Sequence, residues 1–175
     1  GYNLFIKNAL KYGFSLFGLP KTGQTAIEDV DDDGTLRKGY PLTGAHFTNN
    51  GDNTITDNAT GLMWIKDPTL LGAGWVVPPT AAGMDWETAL YACNDLNYAG
   101  HSDWRLPNVN EMNSIMNFSR STPVIYTAFW PNVGGKYWWS STGYMGFFGA
   151  AYAIDYRDGF SVFSLRSNLC YCLPV

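Results

Sequence analysis

The sequence predicts an α+β domain, rich in strands and loops, with two helices set into it. Three observations lead there. Residues 85–100 and 108–116 repeat apolar side chains at helical spacing behind polar caps. Residues 46–66 and 137–173 read instead as short alternating runs broken by Gly and Asx turns. The composition is 46% hydrophobic and 16% aromatic with 19 Gly, yet only 15% charged, which describes a folded, strand-and-loop chain. The 175 residues suit one domain with a real core. A net charge of -4 with no basic stripe argues against nucleic acid as a partner. The longest apolar runs are too short to span a bilayer.

In chain order, residues 1–19 form an apolar segment that fits a short amphipathic helix or a strand equally well. Exposed, it would be sticky, so residues 1–20 are the candidate contact for a homo-oligomer. A chain opening on Gly is expected to be a piece, or a processed form, of a longer one. Residues 20–175 are expected to form a single domain. Asp29, Asp31 and Asp33 before Gly34 imitate half of a calcium loop, but Tyr40 stands where the closing bidentate Glu belongs. An acidic turn is the better reading, and no metal site is expected. Thr54–Asp57 and Leu62–Ile65 read as strands joined by the turn Asn58-Ala59-Thr60-Gly61. Residues 67–83, rich in Pro, Gly and Ala, read as a surface loop.

Asp85 caps the first helix, whose inner face is Trp86, Ala89, Leu90, Cys93 and Leu96, with Gly100 ending it. Ser102-Asp103-Trp104-Arg105-Leu106-Pro107-Asn108 then turns a corner that no helix can run through. Arg105 needs a partner there, and Asp103 is the nearest in sequence. Asn108 caps the second helix, with Glu111 placed for a capping box and Met112, Ile115 and Met116 facing inward. Tyr137–Thr142 and Ala151–Tyr156 are strands, Arg157-Asp158-Gly159 a tight hairpin, and Phe160–Leu165 and Leu169–Leu173 the returns. The three cysteines leave two readings open: a long-range disulfide from Cys93 to the last strand, or buried thiols.

Five pieces of sequence resemble one family. They are Leu19-Pro20-Lys21-Thr22-Gly23-Gln24-Thr25, Asp57-Asn58-Ala59-Thr60-Gly61-Leu62-Met63-Trp64, Ser102 to Pro107, Glu111 with Ile115, and Tyr137-Trp138-Trp139-Ser140-Ser141-Thr142. Together they resemble the C-terminal domain of collagen-like adhesins, of the Lcl C-terminal type, which also occurs in variable proteins diversified by retroelements. The resemblance implies a C-type-lectin-like fold, two helices flanking a small twisted antiparallel sheet. It also implies a place on a virion surface, or an extracellular or cell-surface one. The ending Tyr171-Cys172-Leu173-Pro174-Val175 departs from the usual adhesin close and looks more like that of the diversified proteins. The family's usual Cys falls on Pro174.

Adenine-directed mutagenesis of Asn-type codons cannot yield Lys, Glu, Gln or Trp, and none of these occurs in residues 143–175. Residues 143–175 are therefore expected to be a variable, ligand-binding region, with bulky side chains where turns would expose them. The candidate ligand-facing residues are Tyr144, Phe147, Phe148, Arg157, Phe160, Phe163, Leu165, Leu169, Cys170 and Cys172. The expected function is recognition of a protein or glycan, without catalysis, catalytic residues or cofactor. The alternatives are a calcium-dependent glycan-binding adhesin domain, or a relative of formylglycine-generating enzymes using the Cys170/Cys172 thiols.

Overall fold

The structure, a computed structural model, describes residues 21–39, 46–71, 83–135 and 137–175. The expected oligomer contact at the N-terminus, Tyr40 and most of the loop in 67–83 lie outside the described residues.

Short elements dominate. Asp32 caps α1 (Asp33–Leu36), its carboxylate accepting the Thr35 N–H at 2.8 Å. The same carboxylate takes the Glu28 N–H at 2.8 Å, and the Asp33 carboxylate accepts the Thr22 hydroxyl. These carboxylates hold a turn together, and among the described residues no group of three His, Cys, Asp or Glu side chains is arranged for a metal. β1 (Phe47–Asn49), β2 (Thr54–Asp57) and β3 (Met63–Ile65) form an antiparallel sheet in that order. Its second turn is organised by buried Asp57, which accepts the Ala59 N–H at 2.9 Å and the Thr60 hydroxyl at 2.8 Å, and pairs with His46 at 2.8 Å.

Asp85 caps α2 (Trp86–Asn94), accepting the Thr88 N–H at 2.8 Å. Asn108 and Glu111 close a reciprocal capping box on α3 (Val109–Ser114). β4 (Tyr137–Gly143), β5 (Ala150–Asp155) and β6 (Phe160–Leu165) make a second antiparallel sheet in that order, with a register shift in β4 between Trp139 and Gly143.

This corrects the expected fold. The described residues form two separate three-stranded sheets with little helix, not two helices flanking one sheet. Both helices stop earlier than their apolar spacing implies. α2 ends at Asn94, and Leu96 goes on, outside the helix, to pack with Ile65 and Trp104. α3 ends at Ser114, and Met116 pairs across a bridge with Ile125.

Strand alternation divides the core of the second sheet. Trp138 and Ile154 pack with Met112, Ile115, Trp64 and Trp130 on one face. Trp139, Ala151 and Ala153 pack with Ala89, Cys93 and Leu106 on the other. Each large side chain buried in this way contributes about 1.5–3 kcal/mol.

The tail ties these parts together. Cys170 exchanges both backbone bonds with Met84 at 2.9 and 3.0 Å, and Tyr171 lies along the outer edge of β4. Pro174 accepts from Ile65 of β3 at 3.0 Å, and Val175 exchanges two bonds with Arg105 at 2.9 Å. Arg105 itself corrects the sequence reading. Its fork grips both oxygens of Glu111 at 2.7 and 2.8 Å, while Asp103 stands 92% exposed.

A candidate ligand-binding face

The β4–β5 connection, Tyr144-Met145-Gly146-Phe147-Phe148-Gly149, is two successive tight turns. Phe147 N–H donates to Tyr144 O at 3.2 Å and Ala150 N–H to Phe147 O at 3.0 Å. Neither glycine leaves room for a Cβ while the rings stand where they do. A Cβ on Gly146 would stand 2.7 Å from the Tyr144 ring, and one on Gly149 would stand 2.7 Å from the Phe147 ring. The rings fold back over bare backbone, so the loop carries bulk on a short frame.

The register about the β5–β6 hairpin places Tyr152 directly opposite Phe163, and Ala150 opposite Leu165. These four share the sheet face that also carries Ile154. Ile154 is buried in the core beside Met112 of α3, while Phe163 is 62% exposed. Tyr144 reaches over from the loop and stacks on Phe163, with ring centroids 4.6 Å apart and planes 8° from parallel. It also meets Tyr152 edge-on at 5.5 Å. The three rings brace one another, so the patch is held in place without being covered. Phe147, Met145 and Leu165 are exposed around it, and Phe148 is 87% exposed.

The ten sequence candidates do not all gather there. Tyr144, Phe163 and Leu165 belong to the braced patch, and Phe147 and Phe148 to the loop that delivers Tyr144. Phe160 is exposed but stands on the opposite sheet face, level with Val162. Leu169 is exposed in the turn after β6. Arg157 sits in the hairpin with its fork on Asp155, whose carboxyl that contact holds below its usual range. Cys170 and Cys172 are corrections: each is only 3% exposed, packed with Cys93, Ala89 and Trp139. They face inward because the tail is fastened to Met84 and to β4 rather than lying over them.

All three cysteines are free thiols. Burial pushes the Cys170 thiol up to about 11, and a hydrogen bond with Cys93, together with burial, raises Cys172 as well. Thiols so placed are poor nucleophiles at neutral pH.

Sequence reasoning missed Tyr152 and Met145. Tyr152 could have been found by folding the strands about Arg157-Asp158-Gly159, which sets it against Phe163. It also missed Arg166, which stacks 4.2 Å over the Trp86 ring.

A cleft of about 400 Å³ lies beside the corner, walled by Leu62, Met63, His101, Asp103, Trp104 and Arg105. The Arg105 charge there is already engaged by Glu111. Among the described residues, no helix is long and apolar enough to cross a membrane.

A family model described as the Lcl C-terminal domain matches residues 53–175, well over half of the chain. No curated protein and no solved structure matches it.

Proposed function

The chain belongs to the Lcl C-terminal domain family, an adhesin-like C-terminal domain, and on that premise we propose that it is a non-catalytic recognition domain displayed on a virion or cell surface. Its contact surface is the braced patch of Tyr144, Tyr152 and Phe163 with Phe147, Phe148 and Leu165 around it. One observation carries this reading: Tyr144 is stacked on an exposed Phe163 at 4.6 Å. Leaving such rings in water is unfavourable, and soluble chains usually cover clusters of this kind. Rigid aromatic anchors lose little entropy on binding, which is why recognition loops favour them.

Residues 144–149 and 160–169 are then the positions a diversifying retroelement would rewrite. The absence of Lys, Glu, Gln and Trp from residues 143–175 fits that source of variation. The engagement of Asp29 and Asp33 in turn hydrogen bonds, and the raised, buried Cys170 and Cys172 thiols, favour recognition over the calcium and thiol-enzyme alternatives.

The test is binding of the wild-type chain and of Tyr144→Ser and Phe163→Ser variants to arrays of glycans and of cell-surface proteins, with and without a calcium chelator. Loss of the same hits in both variants, with folding intact and no effect of chelator, is the expected result. Hits that survive both substitutions would move the site elsewhere.

A further inference from the structure

The two edges of the second sheet differ. The outer edge of β4 is sealed: Trp139 N–H donates to Tyr171 O at 2.8 Å, Tyr171 N–H to Tyr137 O at 2.9 Å, and Ser141 N–H to Pro107 O at 2.8 Å. β6 is the opposite edge, and no further strand follows it among the described residues.

Main-chain direction along β6 follows from one bond. Arg166 N–H donates to Gly149 O at 2.8 Å, in line with the β5–β6 register. In an antiparallel ladder main-chain direction alternates, so residues 164, 162 and 160 also turn toward β5. Ser161, Phe163 and Leu165 therefore turn their N–H and C=O groups outward. Only the Leu165 carbonyl has a partner among the described residues, the Asn168 N–H at 2.8 Å. The side chains of these same three residues lie on the face of the aromatic patch.

Proteins usually protect such an edge with charge, Pro, a bulge or a covering segment. Phe160-Ser161-Val162-Phe163-Ser164-Leu165 has no charge, no Pro and an unbroken register with β5. We infer that β6 is a docking edge, and that the partner is a protein supplying an extended, uncharged segment that adds to the sheet as a strand. This inference rests on the recognition reading above and narrows its ligand class.

Three features favour that occupant. The outward groups of Ser161 and Phe163 repeat at two-residue spacing, which an extended main chain matches. Alternate side chains of the added strand would land beside Phe163 and Leu165, continuing the patch. The edge offers no charge to complement. A second copy carries a matching edge too, in the antiparallel register that sets Ser161 against Phe163 of the other chain, and sedimentation separates that occupant from a foreign strand.

The experiment selects short linear peptides from a display library against the full chain and characterises the binders on labelled protein. The expected binders are uncharged, with alternating apolar residues, and they slow hydrogen exchange at Ser161 and Phe163. N-methylation at alternate peptide positions should weaken binding about tenfold or more in one phase and little in the other, as loss of an edge hydrogen bond implies. Ser161→Pro removes an outward N–H without touching the β5 ladder or the rings, and should abolish binding. Phe163→Ser should weaken it through the patch.

Binders lost in Phe163→Ser but kept in Ser161→Pro, or indifferent to N-methylation, would overturn strand addition while leaving the recognition face standing. Binders indifferent to both substitutions would overturn both. Recovery of no binder, or a dimer in sedimentation abolished by Ser161→Pro, would overturn the inference as well.

Discussion

Replacing Glu111 with Ala should be among the costly single changes in this chain. Glu111 is only 18% exposed and its carboxylate accepts three hydrogen bonds at once. One oxygen accepts the Asn108 N–H at 2.8 Å, closing the capping box of α3, and both receive the Arg105 fork. Loss of the cap costs about 1 kcal/mol. Loss of a two-pronged, charge-assisted contact costs about 1–2 kcal/mol here, because Arg105 is 44% exposed and recovers water when its partner goes. The sum is about 2–3 kcal/mol, or roughly 4–12 °C in melting temperature for a chain of this size. Glu111→Gln keeps an acceptor for Asn108 and should cost about half as much.

Acid titration gives an independent check. Burial alone would raise the Glu111 carboxyl, but the Arg105 fork and the Asn108 N–H together outweigh it and leave it below its usual value. A group depressed in the folded state stabilises fully above its unfolded value of about 4.3, and that contribution fades as pH falls through the folded value. The stability gap between wild type and Glu111→Gln should therefore be constant near neutrality and shrink in acid. Urea unfolding across pH, in a cycle with Arg105→Met, measures both. A cost below about 0.5 kcal/mol, no coupling to Arg105, or a gap that widens in acid would refute the assignment.

Three further outcomes are expected. Asp57→Ala removes the buried acceptor for Ala59 and Thr60 and the carboxylate beside His46, and should cost about 2–4 kcal/mol by urea unfolding, with Asp57→Asn milder. The three thiols should be inert to a water-soluble disulfide reagent in the native chain and react on unfolding; rapid native reaction at Cys170 or Cys172 would contradict their burial. Tyr144→Ser and Phe163→Ser should each change unfolding free energy by about 1 kcal/mol or less, since they lose a solvent-facing stack rather than core.

What the sequence revealed was local. Asp85, Asn108 and Glu111 were legible as caps because capping is settled within four residues. The loop rings were legible because Phe147 and Phe148 sit between two glycines. Three things were hidden by tertiary structure. Burial alternates along residues 103–106, with Trp104 and Leu106 inside and Asp103 and Arg105 outside, while Glu111, six residues on from Arg105, meets the fork. Leu96 and Met116 keep helical spacing after their helices have ended, because each finds core by another route. Cys170 and Cys172, offered as ligand-facing, lie on the inner side of the tail, since Met84 and β4 hold the tail against the body. The two-sheet arrangement depended on which short strands pair, and periodicity does not specify partners.

The stitched tail divides the end of the chain into positions with very different freedom to change. Residues 170–175 are buried and touch α2, β4, β3 and the corner in turn, so rewriting any of them would disturb the packed neighbourhood it meets. Met145, Phe147 and Phe148 in the turns, and the outward-facing residues of β6, answer mainly to solvent and to the ring stack. A repertoire built on this scaffold, natural or engineered, should randomise the latter and leave the last six residues alone.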